Sequence, residues 1–141
     1  MSRDQKSALE TGAPVGWGTI TPRIVTTDPK GLVGFLRKVF GASGEFETSR
    51  PSILKMGDSR IMVSESGPRT VAPAFLYVYV QDAEATYHRA LEAGARSLEA
   101  PSEVPYGDRR AMVEDPWGNL WQIATHLGGR SRTPDLASSP R

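Results

Sequence analysis

Between Thr19 and His126 the alternation of apolar and polar residues says nearly the same thing twice. The first half offers "TITPRIVTTD", "PKGLVGFLRKVFGA", "GEFETSR", "PSILKMGD" and "SRIMVSES". The second offers "AFLYVYVQD", "AEATYHRALEAGA", "RSLEAPSEV", "RRAMVED" and "NLWQIATH". Each half predicts a strand, a helix and three further strands. Leu32, Phe35, Leu36 and Val39 recur at helical spacing, as Tyr87, Ala90 and Leu91 do more weakly in the second helix. Both first strands end in an aspartate, Asp28 and Asp82, placed to accept the free N–H groups of the helix that follows. Both helices close on a Gly-Ala pair, and the glycine is free to turn left-handed. Both last strands follow a Gly-polar turn, Gly57-Asp58 and Gly118-Asn119. The repeat predicts an α+β fold of two βαβββ modules.

Strand alternation assigns faces. In "FLYVYV", Leu76, Val78 and Val80 make an aliphatic face suited to lie under a helix. Phe75, Tyr77 and Tyr79 make an aromatic face on the other side, where two modules forming a curved mixed sheet would enclose a cleft. The same alternation sets Arg23, Arg60, Met62, Ser64, Met112, Leu120 and Gln122 beside those rings. Aromatic rings with one or two guanidinium groups suit a planar or anionic small molecule, through stacking and charge-assisted hydrogen bonds. A plainer alternative stands beside it: Arg23 and Arg60 lie on a solvated rim, and the rings pack a narrow core.

Composition narrows the classes. At 141 residues and a net charge of +1, the chain is the size of one small soluble domain. It gives no electrostatic case for nucleic acid or an anionic membrane as partner. The absence of cysteine excludes disulfides, thiolate metal sites and cysteine nucleophiles. No apolar run has membrane-spanning length and the N-terminus carries no signal-like apolar segment, so a cytoplasmic location is expected. Residues 1–18 and 127–141, polar and rich in Gly, Ser, Pro and Arg, have the composition of disordered tails around a domain at 19–126, with modules at 19–66 and 73–126.

With "DPWGN" between its last two strands, the doubled pattern resembles the vicinal-oxygen-chelate superfamily of glyoxalases, dioxygenases and bleomycin-resistance proteins. Tyr106-Gly107-Asp108-Arg109, Asp115-Pro116, Gly118-Asn119, Trp121 and Ile123-Ala124-Thr125-His126 are similar to its PhnB-like glyoxalase-like group. The resemblance implies a cleft fold, a small-molecule ligand and a homodimer. Metalloenzymes of this superfamily hold a divalent ion with His and Glu from the first and last strands of each module. The matching positions here are Thr21, Met62 (or Ile61 with a shifted register), Phe75 and Gln122. Zinc, nickel, manganese and iron sites want at least three imidazole or carboxylate ligands. The set therefore predicts no metal and no cofactor.

Other residues carry weaker expectations. Asp115-Pro116-Trp117-Gly118 has turn chemistry, and Trp121 shares a core face with Ile123. In "YGDRR", Tyr106, Asp108 and Arg109 could gate a cleft, with Asp108 as an acid or base, but an Asp108–Arg109 salt bridge is the favoured reading. His126 is read as a strand-end histidine bonded for structure and His88 as solvated. Three functions remain open. The first is metal-independent binding of a planar or anionic small molecule by Arg23, Arg60, Met62, Phe75, Tyr77, Tyr79, Tyr106 and Gln122. The second is a metal-dependent lyase or dioxygenase, and the third a metal-free enzyme using Tyr, Asp108 or His126 for proton transfer. No catalytic residue is assigned.

Overall fold

A computed structural model describes residues 12–68, 70–105 and 107–128. Residues 1–11 and 129–141, most of the two expected tails, and Tyr106 lie outside the described residues. The chain divides into two compact units, Met1–Ala72 and Pro73–Arg141.

The first unit contains β1 (Arg23–Thr26), α1 (Pro29–Phe40), β2 (Ser52–Met56) and β3 (Ser59–Glu65). Its sheet has the order β1-β3-β2, with β1 parallel and β2 antiparallel to β3. The Asp28 carboxylate accepts from the Gly31 N–H at 3.0 Å, and Pro29 opens the helix where its missing N–H costs nothing. Gly41 ends it at φ 68°, a conformation that disfavours side chains bearing Cβ. Leu32, Phe35, Leu36 and Val39 are buried with Ile24, Leu54, Ile61 and Val63, and α1 packs against all three strands.

Two expectations for this unit are corrected. The first strand starts at Arg23 rather than Thr19, because Pro22 has no N–H to give a ladder, although its carbonyl accepts from Met62 N at 2.9 Å. "GEFETSR" is not a strand. The chain touches β2 only through a bridge between Ser43 and Lys55, then turns at Gly44, where φ is 122° and an added Cβ would lie 2.5 Å from the Ile53 carbonyl oxygen. Polar contacts shape the segment from Glu45 to Ser52: Arg37 pairs with Glu45 at 2.9 Å, and Ser52 Oγ accepts from Glu47 N at 2.8 Å. Residues 16 and 17, assigned from composition to the N-terminal tail, make contacts within the unit. Arg60 donates to the Gly16 carbonyl, and its guanidinium lies 5.2 Å from the Trp17 ring centroid.

The second unit forms all five expected elements: β4 (Phe75–Tyr79), α2 (Ala83–Glu92), β5 (Arg96–Val104), β6 (Asp108–Glu114) and β7 (Leu120–His126). The order is β4-β7-β6-β5, with β4 and β7 parallel and the other pairs antiparallel. Asp82 caps α2 by accepting from Ala85 N at 3.1 Å. Ala83, Thr86, Tyr87 and Ala90 are buried with Ala111, Val113, Trp121 and Ile123 on the helix side. The β6–β7 turn closes on Asp115, which is 3% exposed. Its carboxylate accepts from Trp117 N, Asn119 N and Trp121 Nε1 at 2.9 Å each, and from Asn119 Nδ2 at 3.0 Å. Asp115 therefore fastens the turn to the core, as its turn chemistry implies. Both sheets are mixed, so the fold is α+β. Among the described residues no helix is long and apolar enough to cross a membrane.

Candidate functional site

Each sheet covers one face with its helix and leaves the other open. In the second unit the register sets Phe75 beside Leu120, Tyr77 beside Gln122 and Tyr79 beside Ala124. Across β7, Gln122 pairs with Met112, Ala124 with Arg110 and His126 with Asp108. Phe75, Tyr77, Tyr79, Leu120, Gln122 and Met112 thus share the open face. Phe75 and Tyr79 are 62% and 50% exposed, unusually high for large rings on a strand. The Tyr77 and Tyr79 rings lie 5.3 Å apart at 56°.

The first unit's open face carries Arg23, Arg60, Met62 and Ser64, since Arg23 pairs with Met62, Val25 with Ser64 and Lys55 with Arg60. Ile61 is on the helix side and buried, so the unshifted register holds. The two guanidiniums are partly committed: Arg23 Nε donates to Ser64 Oγ at 3.1 Å, and Arg60 engages Gly16 and Trp17. Two shallow cavities border this face, of about 370 Å³ beside Arg23, Ser64 and Glu65 and about 340 Å³ beside Met62, Ile53 and Arg50.

At the far end of the second unit's open face lies a cluster absent from the sequence expectation. Asp108 is fully buried, and its Oδ2 accepts from the hydroxyls of Tyr77 at 2.7 Å and Tyr79 at 2.8 Å. Its Oδ1 lies 2.8 Å from His126 Nδ1. The favoured Asp108–Arg109 salt bridge does not form. Neighbouring strand residues face opposite ways, so Arg109 turns to the helix side and pairs with Glu84 at 2.8 Å. His126 is bonded, as expected of a strand end, but its partner is this buried carboxylate and its side chain is 42% exposed. His88 is exposed on α2. No sequence motif singles out Arg110 either. Its Nε is buried and lacks a hydrogen-bond partner, while its terminal nitrogen stands 3.6 Å from Glu99.

The residues at the metal-ligand positions do not fit a metal. Phe75 has no donor atom, Met62 offers a thioether, and Thr21 and Gln122 offer neutral oxygens, none a ligand these ions favour. Among the described residues there is no group of three or more His, Cys, Asp and Glu able to hold an ion.

Residues 18–123 match the Glyoxalase/Bleomycin resistance protein/Dioxygenase superfamily. The chain belongs to this family. An uncharacterised protein of Mycobacterium bovis is 25% identical over 122 residues, covering 74% of this chain and 80% of the relative. Among solved structures, TioX from Micromonospora sp. ML1 is 29% identical with a TM-score of 0.64, covering 77% of this chain and 98% of that one. A glyoxalase/bleomycin resistance protein/dioxygenase family enzyme from Burkholderia phytofirmans PsJN is 25% identical, also with a TM-score of 0.64, covering 74% and 95%. Membership in the glyoxalase superfamily fixes the fold but leaves the chemistry to the individual site.

Proposed function

We propose that this glyoxalase-superfamily chain binds a small planar molecule on the open aromatic face of its second unit, without a metal. The exposure of Phe75 and Tyr79 on that face carries the reading. Two large rings held in water by a rigid strand offer a stacking surface whose ordering cost is already met. Tyr77 and Gln122 lie in the next row and supply polar edges, and Tyr106, which follows β5 in sequence, is kept as a candidate contact. Arg23, Arg60 and Met62 on the first unit's open face form a separate candidate surface for an anionic group. Since both guanidiniums already have partners there, planarity is the stronger requirement and charge the weaker. Homodimer formation and membership of the narrower PhnB-like group belong to the same proposal, on the strength of the "YGDR" and "DPWGN" segments.

The test is a binding screen of planar aryl ketones, phenols and carboxylates in the presence of a chelator, against the wild type and Phe75→Ala. Binding should survive chelation and weaken about tenfold in the variant, the equivalent of about 1.4 kcal/mol and within the range of a lost stacking contact. Ligands that bind only when a transition metal is added, or equally well to Phe75→Ala, would refute the reading.

A further inference from the structure

Ala124 has no exposed surface and marks a low point on the open face of the second unit. Its cross-strand neighbours are Tyr79 on one side and Arg110 on the other. Along β7 it is flanked on the same face by Gln122 and His126. Directly opposed residues have Cβ atoms about 5 Å apart, and same-face neighbours along a strand lie about 7 Å apart. One methyl group is thus ringed by a phenol, a guanidinium, a primary amide and an imidazole.

Two of these groups carry features that packing alone does not require. An ionised Asp108 can only accept, so it pairs with the His126 tautomer that carries its proton on Nδ1, and in the neutral ring that tautomer keeps its lone pair on Nε2. Among the described residues Nε2 has no hydrogen-bond partner, and the side chain reaches solvent. The hydroxyls of Tyr77 and Tyr79 stabilise the carboxylate on its other oxygen, where no water is needed to do so. A carboxylate that orients an imidazole while leaving its outer nitrogen open is the arrangement of a general base. Arg110 supplies the second feature, a buried N–H donor without an acceptor, which costs about 1–3 kcal/mol unless something binds there.

We propose that His126, Asp108 and Arg110 form a metal-free proton-transfer site for a planar aryl ketone with an acidic C–H next to its carbonyl. This rests on the binding reading above, because the aromatic face must hold the ring. His126 Nε2 takes the proton from the α-carbon. The C–H electron pair becomes the C=C bond, and the carbonyl π pair moves onto oxygen. Arg110 Nε–H donates to that enolate oxygen, the role a divalent ion plays where a site has one. The proton returns from His126 to carbon or oxygen, so the step is an isomerisation needing no co-reactant. His126 and Arg110 touch the reacting atoms, whereas Asp108 positions His126 and fixes its tautomer.

Two measurements on the full chain test this. The first is the ¹⁵N tautomer state of His126, with His88, the other of the chain's two histidines, as a solvent-exposed reference. The neutral ring of His126 should be the Nδ1–H form, and Asp108→Asn should shift it towards Nε2–H. An Nε2–H wild type overturns the proposal even where Asp108→Asn does not fold. The second uses 1-indanone as probe, following binding by saturation-transfer NMR and α-C–H exchange in D₂O in the same chelator-treated sample. Exchange should exceed the protein-free rate, fall at least about 100-fold in His126→Gln and Arg110→Gln, and stay unchanged in His88→Gln. Binding without accelerated exchange overturns this inference and leaves the binding reading intact. Loss of binding itself, with no exchange, overturns both.

Discussion

Asp115→Ala separates a turn-fastening role for this motif aspartate from a chemical one. The carboxylate holds four donors, and three of them, Asn119 N, Asn119 Nδ2 and Trp121 Nε1, belong to residues no more than 2% exposed. Truncation leaves those donors unpaired at about 1–3 kcal/mol each, a gross loss of about 6 kcal/mol. Two effects offset part of it: the charged group no longer needs desolvation, and water reaches the vacated space through the half-buried turn. A net loss of about 3 kcal/mol remains, or a fall in Tm of about 12 °C at roughly 4 °C per kcal/mol for a domain of this size. Urea unfolding followed by far-ultraviolet dichroism measures the first and a thermal scan the second. Trp121 emission should shift red in the folded variant as the indole loses its buried acceptor. A loss below about 1 kcal/mol would refute the view that Asp115 is a structural fastener and reopen a functional role for it.

Phe75→Ala should leave stability within about 0.5 kcal/mol of wild type in urea unfolding, because the ring is largely exposed in the free protein. Gly44→Ala should cost about 2–3 kcal/mol by the same measurement, combining an unfavourable φ with the clash against the Ile53 carbonyl. Leu36→Ala, which empties a fully buried position under α1, should cost about 2–5 kcal/mol in the unfolding of the first unit. Gln122→Glu restores a carboxylate at the last ligand position, yet its cross-strand neighbours are Tyr77 and Met112. Thermal scans with Zn²⁺, Ni²⁺, Mn²⁺, Fe²⁺ and Co²⁺ should show no stabilisation, against the gain of about 2.7 kcal/mol expected of an ion at a hundredfold excess over its Kd.

The legibility of each element in the sequence tracks the physics of its signal. The second module is readable element by element because its cues are local: an aspartate before a helix, alternation in "FLYVYV", and a Pro-Trp-Gly turn. "GEFETSR" misleads because a strand is inferred there by analogy with the other half. The deciding fact is the contact of Gly44 with Ile53, a tertiary approach that no window of sequence contains. The open-face membership of Phe75, Tyr77, Tyr79, Met62 and Gln122 comes from period-two alternation, which survives any error in strand ends as long as the register is not shifted. The Asp108 cluster needs one more step. Counting outward from the turn at Asp115 pairs Glu114 with Leu120 and then, six residues further, Asp108 with His126. That count is available from sequence, but the tyrosines come from β4, whose parallel pairing with β7 has no turn to fix it. Arg109 draws attention as a neighbour in sequence, and its place on the opposite face removes it.

The two buried aspartates of the second unit show why burial alone does not mark a working group. Asp115 and Asp108 are carboxylates at opposite ends of the same β6–β7 hairpin, 3% and 0% exposed. Both offset the cost of burial with several hydrogen bonds. The four donors to Asp115 are two backbone amides, an amide side chain and an indole. None of these changes protonation near neutrality, so the charge is locked in a structural lattice. Asp108 instead accepts from two phenolic hydroxyls and bonds an imidazole, whose ring continues into solvent. A perturbation at Asp115 can propagate only as loss of stability, whereas one at Asp108 also changes which nitrogen of His126 carries the proton. The Asp108 cluster reaches β7 at His126, two rows along the same face from Gln122. On the proposal above, chemistry at that place draws its electrophile from Arg110, whose Nε is a buried donor without a partner, and its base from His126, whose side chain reaches solvent.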